Sequence, residues 1–253
     1  MKTIWITGGS SGIGYTTAEK FLNEGWRVII SSSKDENLIQ AKLNLEKKTQ
    51  SKEIYSFKCD ISNRNEVNYV VKKISTEISS IDIALLNAAA YSPNKTQDFN
   101  IENYEFLIDV NLKGTLYCID ALKKEMKKNH SGNIAIVSSP VGYRGLPTAG
   151  AYGLTKAGLI NLAETLFFDF KKFGIKIYLI NPGFIRTKST NLNSFPMPFI
   201  KSAEYAAEKI YNGLVKNKRF EIIFPYFFLM ILKLGRILPY PLYFYLVTRI
   251  TGL

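Results

Sequence analysis

Tyr152 and Lys156 stand four residues apart, and together they form the most reactive pairing in the chain. On a helix that spacing puts both side chains on one face. A free tyrosine titrates near 10, too high to release its proton readily at neutral pH. A nearby ammonium stabilises the phenolate and lowers that value, so the pair is predicted to exchange a proton with a substrate oxygen. Ser139, thirteen residues before Tyr152, closes an apolar run and is placed to polarise the same oxygen. The composition narrows the alternatives. A single histidine, His130, excludes multi-histidine metal sites and argues against Ser-His-Asp chemistry. It lies in Lys127-Lys128-Asn129-His130-Ser131-Gly132 and reads as a solvated helix end. The two cysteines, Cys59 and Cys118, are too few for a disulfide framework and read as small core residues.

A second chemical feature lies near the N-terminus. The run Thr3 to Ile6 leads into Thr7-Gly8-Gly9-Ser10-Ser11-Gly12-Ile13-Gly14, after which a helical pattern begins. Glycines let the backbone turn tightly and approach a pyrophosphate, and the following helix offers it free N–H groups and a favourable dipole. The next strand ends Ser31-Ser32-Ser33-Lys34. An acidic residue at this tip normally accepts hydrogen bonds from the ribose 2′-hydroxyl of NAD. Here no carboxylate occupies it, and hydroxyls with an ammonium suit a 2′-phosphate. Ser32, Ser33 and Lys34 therefore point to NADP(H) in preference to NAD(H). Asp35 reads as a first-turn helix residue complementing the dipole.

Short apolar runs alternate with amphipathic stretches along the chain. Strands are predicted at Thr3 to Ile6, Arg27 to Ser31, Ile54 to Lys58, Asp82 to Leu86, Asn133 to Ser138 and Ile175 to Ile180. Helices are predicted at Ile13 to Glu24, Asp35 to about Lys48, Glu66 to Ile78, Ile101 to Lys128, Ala151 to Lys172 and 203 to 216. Ser33 and Glu36 have the spacing of a capping box before the second helix. This β-α-β-α succession predicts an α/β fold, a Rossmann-type doubly wound parallel sheet. Gly8, Asn87, Ser139 and Pro182 all follow C-terminal strand ends, where open α/β sheets bind ligands.

The spacing T-G-x-x-x-G-x-G over Thr7 to Gly14 is followed in order by further landmarks. They are Asp60 in Cys59-Asp60-Ile61, Asn87-Ala88-Ala89, Asn111 in Asn111-Leu112-Lys113-Gly114, then Ser139, Tyr152 and Lys156, and finally Asn181-Pro182-Gly183 with Thr187 beyond. Over residues 3 to about 190 the chain resembles the short-chain dehydrogenase/reductase family. The resemblance implies hydride transfer between a nicotinamide and a carbonyl or alcohol, with Tyr152 as acid/base, Lys156 on the nicotinamide ribose and Asn111 holding a relay water. It also implies a dinucleotide held by Thr7, Gly8, Ser10, Ser11, Gly12, Ile13, Gly14, Asp60, Ile61, Asn87, Ala88, Ala89, Pro182, Gly183, Ile185 and Thr187, and a homodimer or homotetramer. Leu86 and Ala89 depart from the family's usual N-N-A-G, which puts the local loop geometry in question.

The C-terminal stretch departs from the family's common ending. We divide the chain into a catalytic domain, 1–219, and an extension, 220–253, that holds a last strand at Phe220 to Phe224 and then apolar, basic sequence. From Ile222 to Leu253 there is no acidic residue, while Lys233, Arg236 and Arg249 are basic. The longest apolar run, Ile222 to Leu232, is eleven residues and too short to span a bilayer. Short helices at a membrane interface, or packing against the domain or a second copy, both fit this pattern. The loop after Thr187 carries Phe195, Pro196, Met197, Pro198, Phe199 and Ile200, which fits either a lid over an apolar substrate or a lid edge against the core.

The net charge of +12 reads as a lysine-rich surface or as attraction to anionic membrane or phosphate. No nucleic-acid recognition motif accompanies it. No targeting segment is read at Met1-Lys2, so the expected place is the cytoplasm, with peripheral contact at the inner face of a membrane as a further expectation. The sequence therefore predicts an NADP(H)-dependent reductase of a hydrophobic carbonyl. One alternative is a 3-oxoacyl-thioester reductase meeting an acidic carrier protein, where binding would weaken with salt. Another is a cofactor-binding sensor without turnover, whose expected mark, a damaged Ser-Tyr-Lys set, is absent from the sequence.

Overall fold

A computed structural model describes residues 1–92, 99–193 and 195–252. Seven parallel strands form one sheet: β1 (Thr3–Thr7), β2 (Arg27–Ser32), β3 (Ile54–Lys58), β4 (Ile83–Leu86), β5 (Gly132–Val137), β6 (Ile175–Pro182) and β7 (Glu221–Phe224). Their order is β3-β2-β1-β4-β5-β6-β7. Strands this apolar must be covered on both faces, and side chains alternate between the two. On one face Ile4, Ile6, Val28 and Ile30 pack under α1 (Gly12–Asn23), α2 (Asp35–Thr49) and α7 (Ala203–Tyr211). On the other, Trp5, Ile29, Ala84 and Ile134 pack under α3 (Arg64–Glu77), α5 (Gly114–Lys128) and α6 (Gly150–Asp169). The doubly wound α/β architecture expected from the sequence is the one observed. Two short helices, α8 (Tyr226–Leu234) and α9 (Tyr240–Thr251), follow the last strand.

The strand order reverses at β1, which lies between β2 and β4. Thr7 at the end of β1 is in register with Leu86 at the end of β4, so the loops leaving these strands open a crevice between them.

Local chemistry differs from expectation in three places. The Ser33–Glu36 capping box is not formed. The N-cap of α2 is Lys34, still extended at φ −101° and without a side-chain cap, and its own N–H donates to Ser32 Oγ (3.5 Å). A working cap occurs one helix later, where the Asn63 side chain accepts from the N–H groups of Asn65 and Glu66 at the start of α3. The helix expected from Ile101 to Lys128 is continuous in direction but not uniform. It comprises α4 (Ile101–Leu107), a π-helical stretch Ile108–Lys113, and α5. The helix expected over 203–216 likewise ends as a π-helical stretch, Asn212–Asn217.

Candidate active site

The glycine loop is shaped by close approach. Gly8 has φ +66°, a conformation L side chains rarely adopt. A Cβ on Gly14 would lie 2.3 Å from the Gly8 carbonyl oxygen, so the first turn of α1 rests directly on the loop. Ser11 caps this helix in extended conformation without spending its side chain on it, and the first turn carries no acidic residue. The helix N-terminus therefore keeps its donors and its positive end for an anion. Asn87 braces the loop from the neighbouring strand. Its Nδ2 donates to the carbonyls of Thr7 (3.1 Å) and Gly8 (3.2 Å), while its own N–H and that of Ala88 donate to Thr7 Oγ1 (3.0 and 3.1 Å). The two departures are accommodated. Leu86 is buried as the last residue of β4, and Ala89 does not have a positive φ.

Beside this loop Ser10 Oγ and Ser32 Oγ lie 3.1 Å apart, with Ser33 and Lys34 exposed next to them. Ser31 is different: it is buried and accepts from Trp5 Nε1 (2.8 Å), a packing role. Asp60 sits just past β3, where its Oδ1 accepts from the Ser62 N–H (2.9 Å) and hydroxyl (2.7 Å). Ile61 is buried beside Gly114. Pro182 ends β6, and the Gly183 N–H donates to Phe224 of β7 (2.8 Å). Ile185 is buried, and Thr187 reaches back to the glycine loop, since a Cβ on Gly12 would lie 3.3 Å from its methyl. The cradle that a Cβ would fill and the unspent helix terminus fit a dinucleotide pyrophosphate. Among the described residues no group of three or more His, Cys, Asp or Glu is arranged to hold a metal ion.

The proton-transfer candidates meet at the end of β5. Ser139 is half-buried and opens a 3₁₀ turn, Pro140–Gly142, in which its Oγ accepts from the Val141 N–H (3.4 Å). This turn lies tight against α6, because a Cβ on Gly142 would be 2.6 Å from the Lys156 backbone. Ser138 takes the structural role, donating to the Lys156 carbonyl (2.8 Å), which leaves Ser139 facing Tyr152. Lys156 is buried behind the tyrosine, its Nζ 5.4 Å from the ring centre. That ammonium donates to the Val137 carbonyl (2.9 Å), and burial lowers its pKa from 10.5 to about 8.

The expected lowering of the Tyr152 pKa is not observed. Burial pushes the phenol well above its ordinary range, the Tyr91 phenol adds to the rise, and the Ser139 hydroxyl opposes it. The physical reason is that the Lys156 ammonium is engaged by the Val137 main-chain carbonyl, and desolvation of the phenol then dominates. Asn111 is fully buried within the π-helical stretch. Its Oδ1 accepts from the Ala90 N–H (2.7 Å), and its Nδ2 donates to the Ala90 carbonyl (3.0 Å) and Thr155 Oγ1 (3.2 Å). Such irregular turns recur at functional sites.

Sequence reasoning passed over Tyr91. Its ring meets Tyr152 edge-on, with centres 4.9 Å apart, and its hydroxyl donates to Asn193 Oδ1 in the loop after Thr187. An aromatic just beyond Asn87-Ala88-Ala89 was the available signal. Also missed was Glu221. Its carboxylate accepts from Tyr143 Oη (2.8 Å) and Asn181 Nδ2 (2.9 Å) and pairs with Lys233 of α8, tying the C-terminal helices to the segment between Ser139 and Tyr152.

Comparison with known proteins agrees with this geometry. The short chain dehydrogenase family profile matches residues 2–195. An uncharacterized oxidoreductase of Myxococcus xanthus is 28% identical, over 96% of this chain and 94% of its own. A 3-oxoacyl-(acyl-carrier-protein) reductase of Staphylococcus epidermidis is 30% identical, over 75% and 78%. Among solved structures, ElxO with NADP bound superposes with a TM-score of 0.80 at 26% identity, over 89% and 98%. The chain thus belongs to the short-chain dehydrogenase/reductase family, oxidoreductases that depend on a nicotinamide dinucleotide.

Proposed function

We propose that the protein is an NADP(H)-dependent reductase that converts a carbonyl to an alcohol in an apolar, lipid-like substrate. The observation that carries this reading is the meeting of Ser139 and Tyr152 at the end of β5, with the Lys156 ammonium buried behind the tyrosine ring. When bound, the dinucleotide supplies the hydride. Tyr152 supplies the proton. Because burial raises its pKa, the phenol stays protonated at neutral pH, the state needed to protonate a nascent alkoxide. Ser139 holds the substrate oxygen by a hydrogen bond. Lys156 keeps its charge below about pH 8, lies 5.4 Å from the tyrosine ring centre, and in this reading holds the nicotinamide ribose. The proton relay through Asn111 belongs to this reading, anchored by the bonds of its amide to Ala90 and Thr155.

Preference for NADP(H) is supported by the Ser10–Ser32 pair, the exposed Ser33 and Lys34, and the NADP named for the structural relative. An apolar substrate is supported by Phe184, just past β6, and Phe195, on the loop beyond Thr187, whose rings meet edge-on with centres 6.0 Å apart. A homodimer or homotetramer is part of the same proposal.

The test is NADPH oxidation with ketones of increasing chain length. Tyr152→Phe is expected to lower turnover about a hundredfold or more while NADPH still binds, and unchanged turnover would remove Tyr152 from its role. Lys34→Ala is expected to weaken NADPH several-fold more than NADH, and equal losses would refute the 2′-phosphate reading. The resemblance to 3-oxoacyl-(acyl-carrier-protein) reductases of Staphylococcus epidermidis and Synechocystis favours a second reading, reduction of an acyl-thioester ketone. In that case a carrier-bound substrate would be reduced far faster than the free ketone, and salt would slow it.

A further inference from the structure

The residues after β7 leave an apolar surface that the domain does not cover. α8 buries only Leu229, and α9 buries only Tyr243. Phe227, Ile237 and Ile250 are 78%, 80% and 82% exposed, and Tyr240, Phe244 and Tyr245 also face outward. A helix of this composition is stable only when something covers it. Its placement is nevertheless fixed from beneath. The Arg144 guanidinium stacks 4.0 Å from the Tyr243 ring centre and donates to the Leu238 carbonyl (2.6 Å), while Tyr243 Oη donates to the Gly145 carbonyl (2.8 Å). The surface runs on into the loop beyond Thr187, where the Phe199 and Phe228 rings are 5.4 Å apart and Phe199 is exposed.

Charge identifies the occupant. No acidic residue lies between Ile222 and Leu253. Arg249 is exposed on α9, Arg236 is exposed in the turn between α8 and α9 where it pairs with Glu164 (3.6 Å), and Arg186, Lys188 and Lys201 are exposed along the adjoining loop. A twofold contact with a second copy would set this surface against itself, and its own stretch offers Arg249 and the loop cations no carboxylate. Anionic lipid headgroups meet the cations, while the acyl boundary takes the aromatic and aliphatic side chains. Among the described residues no helix is long and apolar enough to cross a membrane, so the helices would lie in the interface plane.

We propose that α8, α9 and the Phe195–Phe199 loop form a docking surface for an anionic lipid bilayer, which brings the mouth of the active-site crevice to the lipid. This rests on the reading of the crevice as the site of an apolar carbonyl. The full chain is mixed with vesicles of phosphatidylcholine, with and without phosphatidylglycerol, and sedimented. It is expected to pellet with the anionic vesicles, less so as salt rises. The doubly substituted Phe227→Glu, Phe244→Glu protein is expected to bind about tenfold more weakly or worse. Leu43→Glu, an exposed apolar position on α2, is expected to bind like the parent. Circular dichroism and NADPH oxidation with a short, water-soluble ketone, both unchanged, show that the double variant is folded.

A full-length protein that stays in the supernatant overturns the proposal, as does a double variant that pellets undiminished. Light scattering that shows the double variant splitting a dimer, with no vesicle binding by the parent, assigns the surface to a second copy. Failure of every ketone with intact sedimentation overturns the function reading alone.

Discussion

Replacing Lys156 by methionine is expected to make the protein more stable and inactive at once. The lysine is fully buried, its Nζ has one hydrogen-bond acceptor, the Val137 carbonyl, and its pKa falls from 10.5 to about 8. Near pH 7 the group is still charged in both folded and unfolded protein, so the whole desolvation cost is present. The drop in pKa corresponds to about 3 kcal/mol against folding. Methionine has similar length and no charge, so Lys156→Met removes that cost. It also leaves the Val137 carbonyl without its donor, which takes back about 1–2 kcal/mol. The net expectation is a gain of about 1–2 kcal/mol, or roughly 4 °C in Tm for a domain of this size.

The pH dependence separates this explanation from better packing. Between about pH 8 and 10.5 the unfolded chain holds a proton that the folded chain has released, so wild-type stability rises with pH across that window. The advantage of Lys156→Met should therefore fall by about 2.5 kcal/mol from pH 7 to pH 10 and end at or below zero. The assay is urea unfolding of both proteins at the two pH values, without added nucleotide, alongside NADPH oxidation. A variant less stable than wild type near pH 7, or an advantage that ignores pH, would refute the reasoning. Loss of turnover together with the stability gain is the pattern expected where a site stores an unfavourable charge for use.

Two further outcomes follow from polar groups outside the reaction. Burial pushes the Glu221 carboxyl up, but Lys233, Tyr143 and Asn181 together hold it below its ordinary value of 4.5. Its contribution is thus present above 4.5 and lost as pH falls through the lower folded value, and Glu221→Gln should cost about 1–3 kcal/mol near neutral pH but little in acid, measured by urea unfolding. Thr17 is fully buried in α1 with no hydrogen-bond partner for its hydroxyl among the described residues. Thr17→Val keeps the shape, so it should raise stability by about 1 kcal/mol, and a loss would show that the hydroxyl has a partner in solution.

The central strands were legible because each is a short β-rich run buried on both faces, so that Trp5 and Ile29 serve one core while Ile4 and Ile30 serve the other. The glycine loop was legible because its conformation admits few residue types, as the Gly14 contact with Gly8 shows. What the sequence left unread depends on contacts between distant segments. Nothing in Ile108 to Lys113 signals a π-helical stretch, since it is Ala90, from another loop, that engages Asn111 there. Ser33 had the spacing of a cap, but the helix starts one residue later, with Lys34 as its N-cap. The Tyr91–Tyr152 and Glu221–Lys233 pairs link segments that no local pattern connects.

The site's electrostatics were misread for the same reason. Tyr-x-x-x-Lys spacing fixes which face the two side chains share, but not where the ammonium points. The spacing alone suggests an acidified phenol. In the fold the lysine donates to the Val137 carbonyl, and desolvation pushes the half-buried Tyr152 phenol upward. With the ammonium engaged by a main-chain carbonyl, desolvation dominates at the phenol, and a phenol that stays protonated is the form that can act as the acid of the proposed reduction.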